Sequence, residues 1–382
     1  MTAPPRPPSP RPTSRARRVA QRVGLVLGGL LLGLVLAEGV ARLIAPDAAA
    51  DLLFDAPGNV PGGMYVADPE LSQSPNPGFS GTLRSLGYAV PIRFNSLALR
   101  GPEPTPRDLT RPRWLMLGDS FTLAAQVPED ETFTGRLTAA GIEAWNAGVD
   151  GYSTWHARIR YRRVVDTLQP DGAVLVYFLG NDPQDDSRFK NGIRMAIGVP
   201  PWAPLPAIGG NPLVGFLARN SFLYGHVHVA MRRQAVSAGS ARETGQWALE
   251  LDAFTRGGAG RLSNQLQRAS AAALIALRQD MQQRGDRLVV AVAPPAFEII
   301  PARLDATFAL VGLDPAEADV DQPARQVHAL LAQLGIQSCD LVEPLRRAAE
   351  AGRTVYYTYD GHWTADGHAV VAEAIQACLT GS

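Results

Sequence analysis

Short apolar runs, each closing on small polar residues, recur along the chain after Arg113. Trp114-Leu115-Met116-Leu117 stops at Gly118-Asp119-Ser120, Ile142 to Asn146 runs into Ala147-Gly148, and Ala173 to Leu179 stops at Gly180-Asn181-Asp182. Runs that are apolar at nearly every position read as strands buried on both faces. Between them, Thr132 to Ala140 and a stretch from a cap at Ser153 or Thr154 to about Leu168 carry helical periodicity. A second long helix over about Leu262 to Arg284 leads to the strand Arg287 to Ala293, ended by Pro294-Pro295. Asp321 and Pro323 mark another helix start, with Val327, Leu330, Leu331 and Leu334 at core spacing, and after Gly335 the stretch Ile336 to Leu341 reads as a fifth strand. Alternating strand and helix predicts an α/β fold, a flavodoxin-like three-layer α/β/α arrangement around a mostly parallel five-stranded sheet. The C-terminal ends of such strands share one edge, where open α/β sheets place their chemistry.

Before Arg113 the pattern changes character. Residues 1–22 are rich in proline and carry Arg6, Arg11, Arg15, Arg17, Arg18 and Arg22 with no acidic residue before Glu38, which reads as a disordered basic tail. Val23 to Ala37 is uninterruptedly apolar and continues more weakly to Ala45, so 23–45 has about the spanning length of ~20 helical residues. Arginines in front of it predict a single-pass signal anchor with a cytoplasmic N-terminus and the rest periplasmic or extracellular. A cleaved signal peptide, with Ala48-Ala49-Ala50 supplying small residues, is the competing reading, and it exports the same downstream chain. Residues 46–110 read as a linker and a small β-rich lead-in ending near Asn95 and Arg100, a turn residue and a surface charge. Residues 183–260 exceed a simple connection; they hold a proline-rich piece, Val199 to Pro204, and a helical stretch over about Asn211 to Gln234. That insert is either a lid over the strand ends or packing against the core or the membrane face.

Composition narrows the chemistry. Formal net charge is zero, which gives no reason to expect a nucleic-acid partner. Lys190 is the only lysine, which removes a Gly-Lys-Ser/Thr phosphate loop. Arg158, Arg160, Arg162 and Arg163 read as a solvated helix face. Two cysteines, Cys339 and Cys378, are too few for a disulfide scaffold or a four-cysteine zinc site; whether they pair is left open by the sequence. His226 and His228, two apart on a helix, face different ways, and Asp360, His362 and His368 have poor spacing for zinc, so no metal and no cofactor is expected.

Ser120 lies at the turn that closes the first strand, where a hydroxyl is exposed and its own N–H is close to a developing oxyanion. It is the candidate nucleophile; a plain strand-to-helix connection capped by Asp119 or Ser120 fits the tripeptide alone. A serine needs a base, and His362 is the candidate, with Asp360 orienting its other ring nitrogen. Gly118-Asp119-Ser120, Asn146 to Gly151, Gly180-Asn181-Asp182 and Asp360-Gly361-His362-Trp363, in that order, resemble the blocks of the SGNH (GDSL-type) hydrolase family over residues 111–382. The resemblance implies a catalytic set of Ser120, Asp360 and His362. It also implies an oxyanion hole of the Ser120 and Gly151 N–H groups and the Asn181 side chain, with Asp119 and Asp182 as loop-holding residues. The chain departs from the commonest Asp-x-x-His pattern; its Asp-x-His-Trp-Thr is similar to that of SGNH-like alginate O-acetyltransferases. The expected function is a membrane-anchored esterase removing acyl groups, most plausibly acetyl, from carbohydrate or lipid. Acyl transfer to a polysaccharide is the first alternative, and a non-catalytic polysaccharide-binding or assembly protein the second.

Overall fold

In the computed structural model the predicted strands assemble into one parallel sheet. The structure describes residues 14–44, 60–85, 88–189, 212–237, 250–357 and 360–381. Strands β1 (Tyr65–Asp68) and β2 (Ser72–Pro75) form one antiparallel hairpin and β3 (Ser80–Ser85) and β4 (Tyr88–Arg93) another. The main sheet follows: β5 (Arg113–Leu117), β6 (Glu143–Asn146), β7 (Gly172–Phe178), β8 (Arg287–Ala293) and β9 (Gln337–Asp340), in the order β6-β5-β7-β8-β9, every pair parallel. Every residue of β5 is buried: Trp114 to Leu117 are apolar, and Arg113 is paired with Glu143 at 2.7 Å. Helices 154–168, 271–282 and 322–333 cover one face and helices 133–139 and 365–380 the other. The strand order reverses beside β5, so the ends of β5, β6 and β7 meet at the crevice where such folds bind ligands.

The lead-in hairpins build a second, smaller core. Met64, Tyr65, Leu71, Leu83, Val90, Ile92 and Phe94 pack with Leu123, Val149 and Tyr152, the backs of the loops that follow β5 and β6. Helix 154–168 ties this core to the sheet domain, which corrects the solvated-face expectation for its arginines. Arg163 grips buried Asp68 at 2.6 Å, Arg160 is buried and donates to the Ala98 carbonyl at 2.8 Å, and Arg158 pairs with Asp280 at 2.6 Å. Only Arg162 among the four stays largely in solvent. Positions 160 and 163, three apart, share the face toward the lead-in, while 158 and 162, four apart, face helix 271–282.

Two other expectations shift. Helix α1 (Ser14–Leu43) begins inside the stretch read as a disordered tail, because the Arg- and Ala-rich residues before Val23 are good helix formers with a helix to extend. The helix expected over 211–234 is two helices, Pro212–Asn220 and Phe222–Ser237, interrupted where Ser221 caps the second by accepting from Tyr224 N at 3.0 Å. These helices dock on α1. Glu38 accepts from the Ser221 hydroxyl and from the N–H groups of Phe222 and Leu223, and Arg42 reaches the Asn220 carbonyl and lies over the Phe222 ring. The stretch from Arg17 to Leu43 is long and apolar enough to cross a membrane, with a mean hydropathy of 2.2 over its most apolar 18 residues, and its leucines and valines are exposed. The proline-rich piece of the insert, Val199 to Pro204, lies outside the described residues, as do residues 45–59 of the linker. Cys339 on β9 and Cys378 on the last helix form a disulfide.

Candidate active site

The turn after β5 is shaped by Gly118. Its φ of +142° and the position of Thr122, whose Oγ1 lies 2.4 Å from where a Cβ would sit, admit only glycine. Asp119 then caps a single helical turn, Ser120–Leu123, by accepting from Phe121 N at 2.9 Å, and Ala124 closes that turn with φ +56°. Arg100 secures the turn from below, donating to the carbonyls of Leu123 (2.7 Å), Ala124 and Val127 (2.6 Å). It is therefore a buried brace and not the expected surface charge; burial pulls its guanidinium down to about 10, which leaves it charged at neutral pH. Asn95 does hold a turn, accepting from the N–H groups of Leu97 and Leu99.

Residues far apart in sequence converge on Ser120. His362 Nε2 lies 2.7 Å from Ser120 Oγ, and His362 Nδ1 is hydrogen-bonded to Asp360 Oδ1, which also accepts from His362 N at 3.1 Å. Asp360 Oδ2 accepts from the Tyr88 hydroxyl at 2.7 Å, with the Gln126 amide at 3.4 Å. Phe121 packs on the His362 ring, on Phe178 and on Trp363, forming the apolar floor of the site. Burial acts to lower the His362 pKa, but the charge and hydrogen bond of Asp360, with the charges of Asp119 and Asp150, outweigh it and push the group up to about 8. Burial acts to raise Asp360, yet the charge and hydrogen bond of His362, then Tyr88, hold it below the usual carboxylate range.

The remaining predicted residues sit around this line. Gly151 has φ +72° and open space where a Cβ would be; Gly148 carries the tight packing, with a Cβ position 2.3 Å from Leu123 N. Asn181 precedes helix 182–189, and its Oδ1, buried, meets no hydrogen-bond donor among the described residues. Asp182 holds the loop by accepting from Phe178 N at 2.8 Å. Burial raises both Asp119 and Asp182. Two other histidines are occupied elsewhere. His156 Nδ1 is engaged by the hydroxyl and N–H of Ser153 in a capping box, and His368 is buried against Phe133 in the last helix. Tyr88, Gln126 and the pair Tyr65–Asp150, joined at 2.7 Å, were not anticipated around the site. An alternating strand such as Tyr88 to Phe94 gives no sign of which loop its side chains will meet.

Residues 254–382 match the family model described as SGNH hydrolase-like domain, acetyltransferase AlgX. Curated relatives include two proteins named probable alginate O-acetylase AlgJ. That of Pseudomonas syringae pv. tomato is 30% identical over 27% of this chain and 24% of its own length, and that of Pseudomonas putida 29% identical over 31% and 29%. These matches support similarity to the SGNH-type family with alginate O-acetyltransferase-like members. The matched part of this chain spans less than a third of either curated relative, and the family match contains Asp360 and His362 but not Ser120. Among solved structures, a GDSL-like lipase from Bacteroides thetaiotaomicron aligns with 11% identity and a TM-score of 0.37 over 73% of this chain and 93% of its own. An acetylxylan esterase from Geobacillus stearothermophilus aligns with 12% identity and a TM-score of 0.36 over 70% and 94%. At these values neither bears on activity.

Proposed function

We propose that the protein is a membrane-anchored enzyme that moves acetyl groups on a polysaccharide through an acyl-Ser120 intermediate. The observation that supports this most directly is the unbroken line from Ser120 Oγ to His362 Nε2, at 2.7 Å, and from His362 Nδ1 to Asp360. In this reading Ser120 Oγ attacks the acyl carbonyl carbon while His362 takes its proton. The N–H groups of Ser120 and Gly151 and the Asn181 carboxamide hold the resulting oxyanion. Collapse expels the donor's alcohol, which leaves with the proton from His362. A polysaccharide hydroxyl then attacks the acyl-serine, gives its proton to His362, and Ser120 recovers it as the product ester departs.

Transfer takes first place over simple removal because the AlgX family model and the AlgJ relatives are both named for acetyl addition. Hydrolysis is the second reading, favoured by the open space beside Gly151, through which water can reach the acyl carbon. Helix α1 is read as the anchor, with Arg15, Arg17, Arg18 and Arg22 on the cytoplasmic side and the catalytic domain outside. The Cys339–Cys378 disulfide suits that oxidising side.

The test uses the full chain in detergent with p-nitrophenyl acetate, with and without an oligosaccharide acceptor, beside Ser120→Ala. Expected are release of p-nitrophenol that falls about 10³-fold or more in the variant, an acetyl mass on the Ser120 peptide, and acetylated oligosaccharide. Acetate without acetylated sugar moves the reading to an esterase. Equal turnover by Ser120→Ala removes Ser120 as the nucleophile.

A further inference from the structure

We infer that Tyr88 is a positioning residue for Asp360, which makes the β3–β4 hairpin a working part of the site. The inference rests on the roles proposed above for Asp360 and His362. Asp360 has only acceptor capacity when ionised. One of its oxygens serves His362, and the other receives the Tyr88 hydroxyl at 2.7 Å. The carboxylate is thereby held at both ends, and its plane fixes which way the imidazole turns. Without the tyrosine O–H, the partner of Oδ2 among the described residues is the Gln126 amide at 3.4 Å, a length at which little hydrogen-bond strength remains.

Tyr88 is itself well supported. Its ring packs on Tyr357, whose hydroxyl reaches the Gln126 carbonyl at 3.2 Å. Its strand is registered against β3 over Ser80 to Ser85, and Leu83, Val90 and Ile92 anchor both strands in the small core that includes Leu123. A tyrosine on a paired strand is a more rigid donor than one on a loop, and rigid support is what a preorganised site needs. The hairpin thus touches the site twice, through Leu123 beneath the Ser120 turn and through Tyr88 at the far end of the relay.

Tyr88→Phe keeps the ring and removes the donor, and the full chain carrying it is compared with wild type, Ser120→Ala and Tyr88→His. Expected for Tyr88→Phe is a kcat reduced about tenfold, the scale seen when outer partners that orient a working group are lost, with KM and melting temperature unchanged. The acidic limb of the kcat/KM profile moves to higher pH. Tyr88 no longer draws charge from Asp360, so more negative charge faces the imidazolium, while Asp119 and Asp150, which also face it, are unaltered. Tyr88→His, which keeps an N–H donor, recovers part of the rate and part of the limb. Wild-type activity and profile in Tyr88→Phe overturn the inference, as does a loss of rate or of fold in which the limb stays put and Tyr88→His recovers nothing. If Ser120→Ala is as active as wild type, the site reading itself fails and the inference with it.

Discussion

At the scale of single residues, the mechanism proposed above makes His362 the group that sets the pH at which Ser120 is activated. Proton removal needs the neutral imidazole, and the surrounding Asp360, Asp119 and Asp150 push its pKa up to about 8 against the effect of burial. The kcat/KM profile is therefore expected to rise with pH through about 8. Asp360→Asn removes the largest upward influence, so its limb falls to lower pH while the rate drops; a pH–rate series on both proteins checks this. The same shift carries a stability sign. A group whose folded pKa lies above its unfolded value of about 6.5 adds stability below that value and loses it as pH rises through the folded pKa. Asp360, held below the usual carboxylate range, carries the opposite sign and loses its contribution in acid, so the His362–Asp360 pair favours the fold most between the carboxylate range and about 6.5, whereas the proposed catalysis favours the alkaline side. Tyr88 acts at the same scale through a single O–H.

Among the elements, the last strand of the sheet and the closing helix are joined covalently. Cys339 on β9 and Cys378 on the closing helix are 39 positions apart, and a loop of that size removes about 4 kcal/mol of unfolded-chain freedom in the chain-entropy model. Replacing both by serine is expected to lower the unfolding free energy by about that amount in a urea titration and to leave the pH limb of activity in place, because the bridge does not touch Ser120, His362 or Asp360. The short turn Ser120–Leu123 shows the opposite economy. Four residues cannot stabilise a helix alone, so Asp119 caps the turn, Gly118 and Gly148 let neighbouring backbone approach it, and Arg100 takes its closing carbonyls. Gly148 and Arg100 come from segments distant from the turn, whereas Gly118 and Asp119 lead directly into it.

For the whole molecule, the junction between α1 and helices 212–237 ties the long apolar helix to the rest of the chain. Glu38 satisfies N–H groups at the start of helix 222–237, a capping arrangement worth about 1 kcal/mol. Glu38→Ala is expected to raise proteolysis within 212–237 about fivefold in the detergent-solubilised chain, with p-nitrophenyl acetate turnover little changed. Unchanged proteolysis would mean that the junction is held by other contacts. The junction itself was invisible in the sequence, since Glu38 reads there only as an interruption of an apolar run.

The residue pattern determined the strands, most helix starts and the parallel three-layer class, because apolar periodicity and turn chemistry are local properties of the chain; Ser120, Asp360 and His362 were candidates by their own chemistry, and Asn181 joined them through the resemblance to the SGNH family. Only the tertiary structure decided which charges are buried and who meets whom. Arg100, Arg160 and Arg163 look alike as letters beside Arg162, and what separates them is the carbonyl or carboxylate that another segment brings within 3 Å. The cysteine pairing, the docking of Glu38 and the reach of Tyr88 to Asp360 belong to the same class. They are contacts across tens to hundreds of residues, and no local preference of the backbone encodes them.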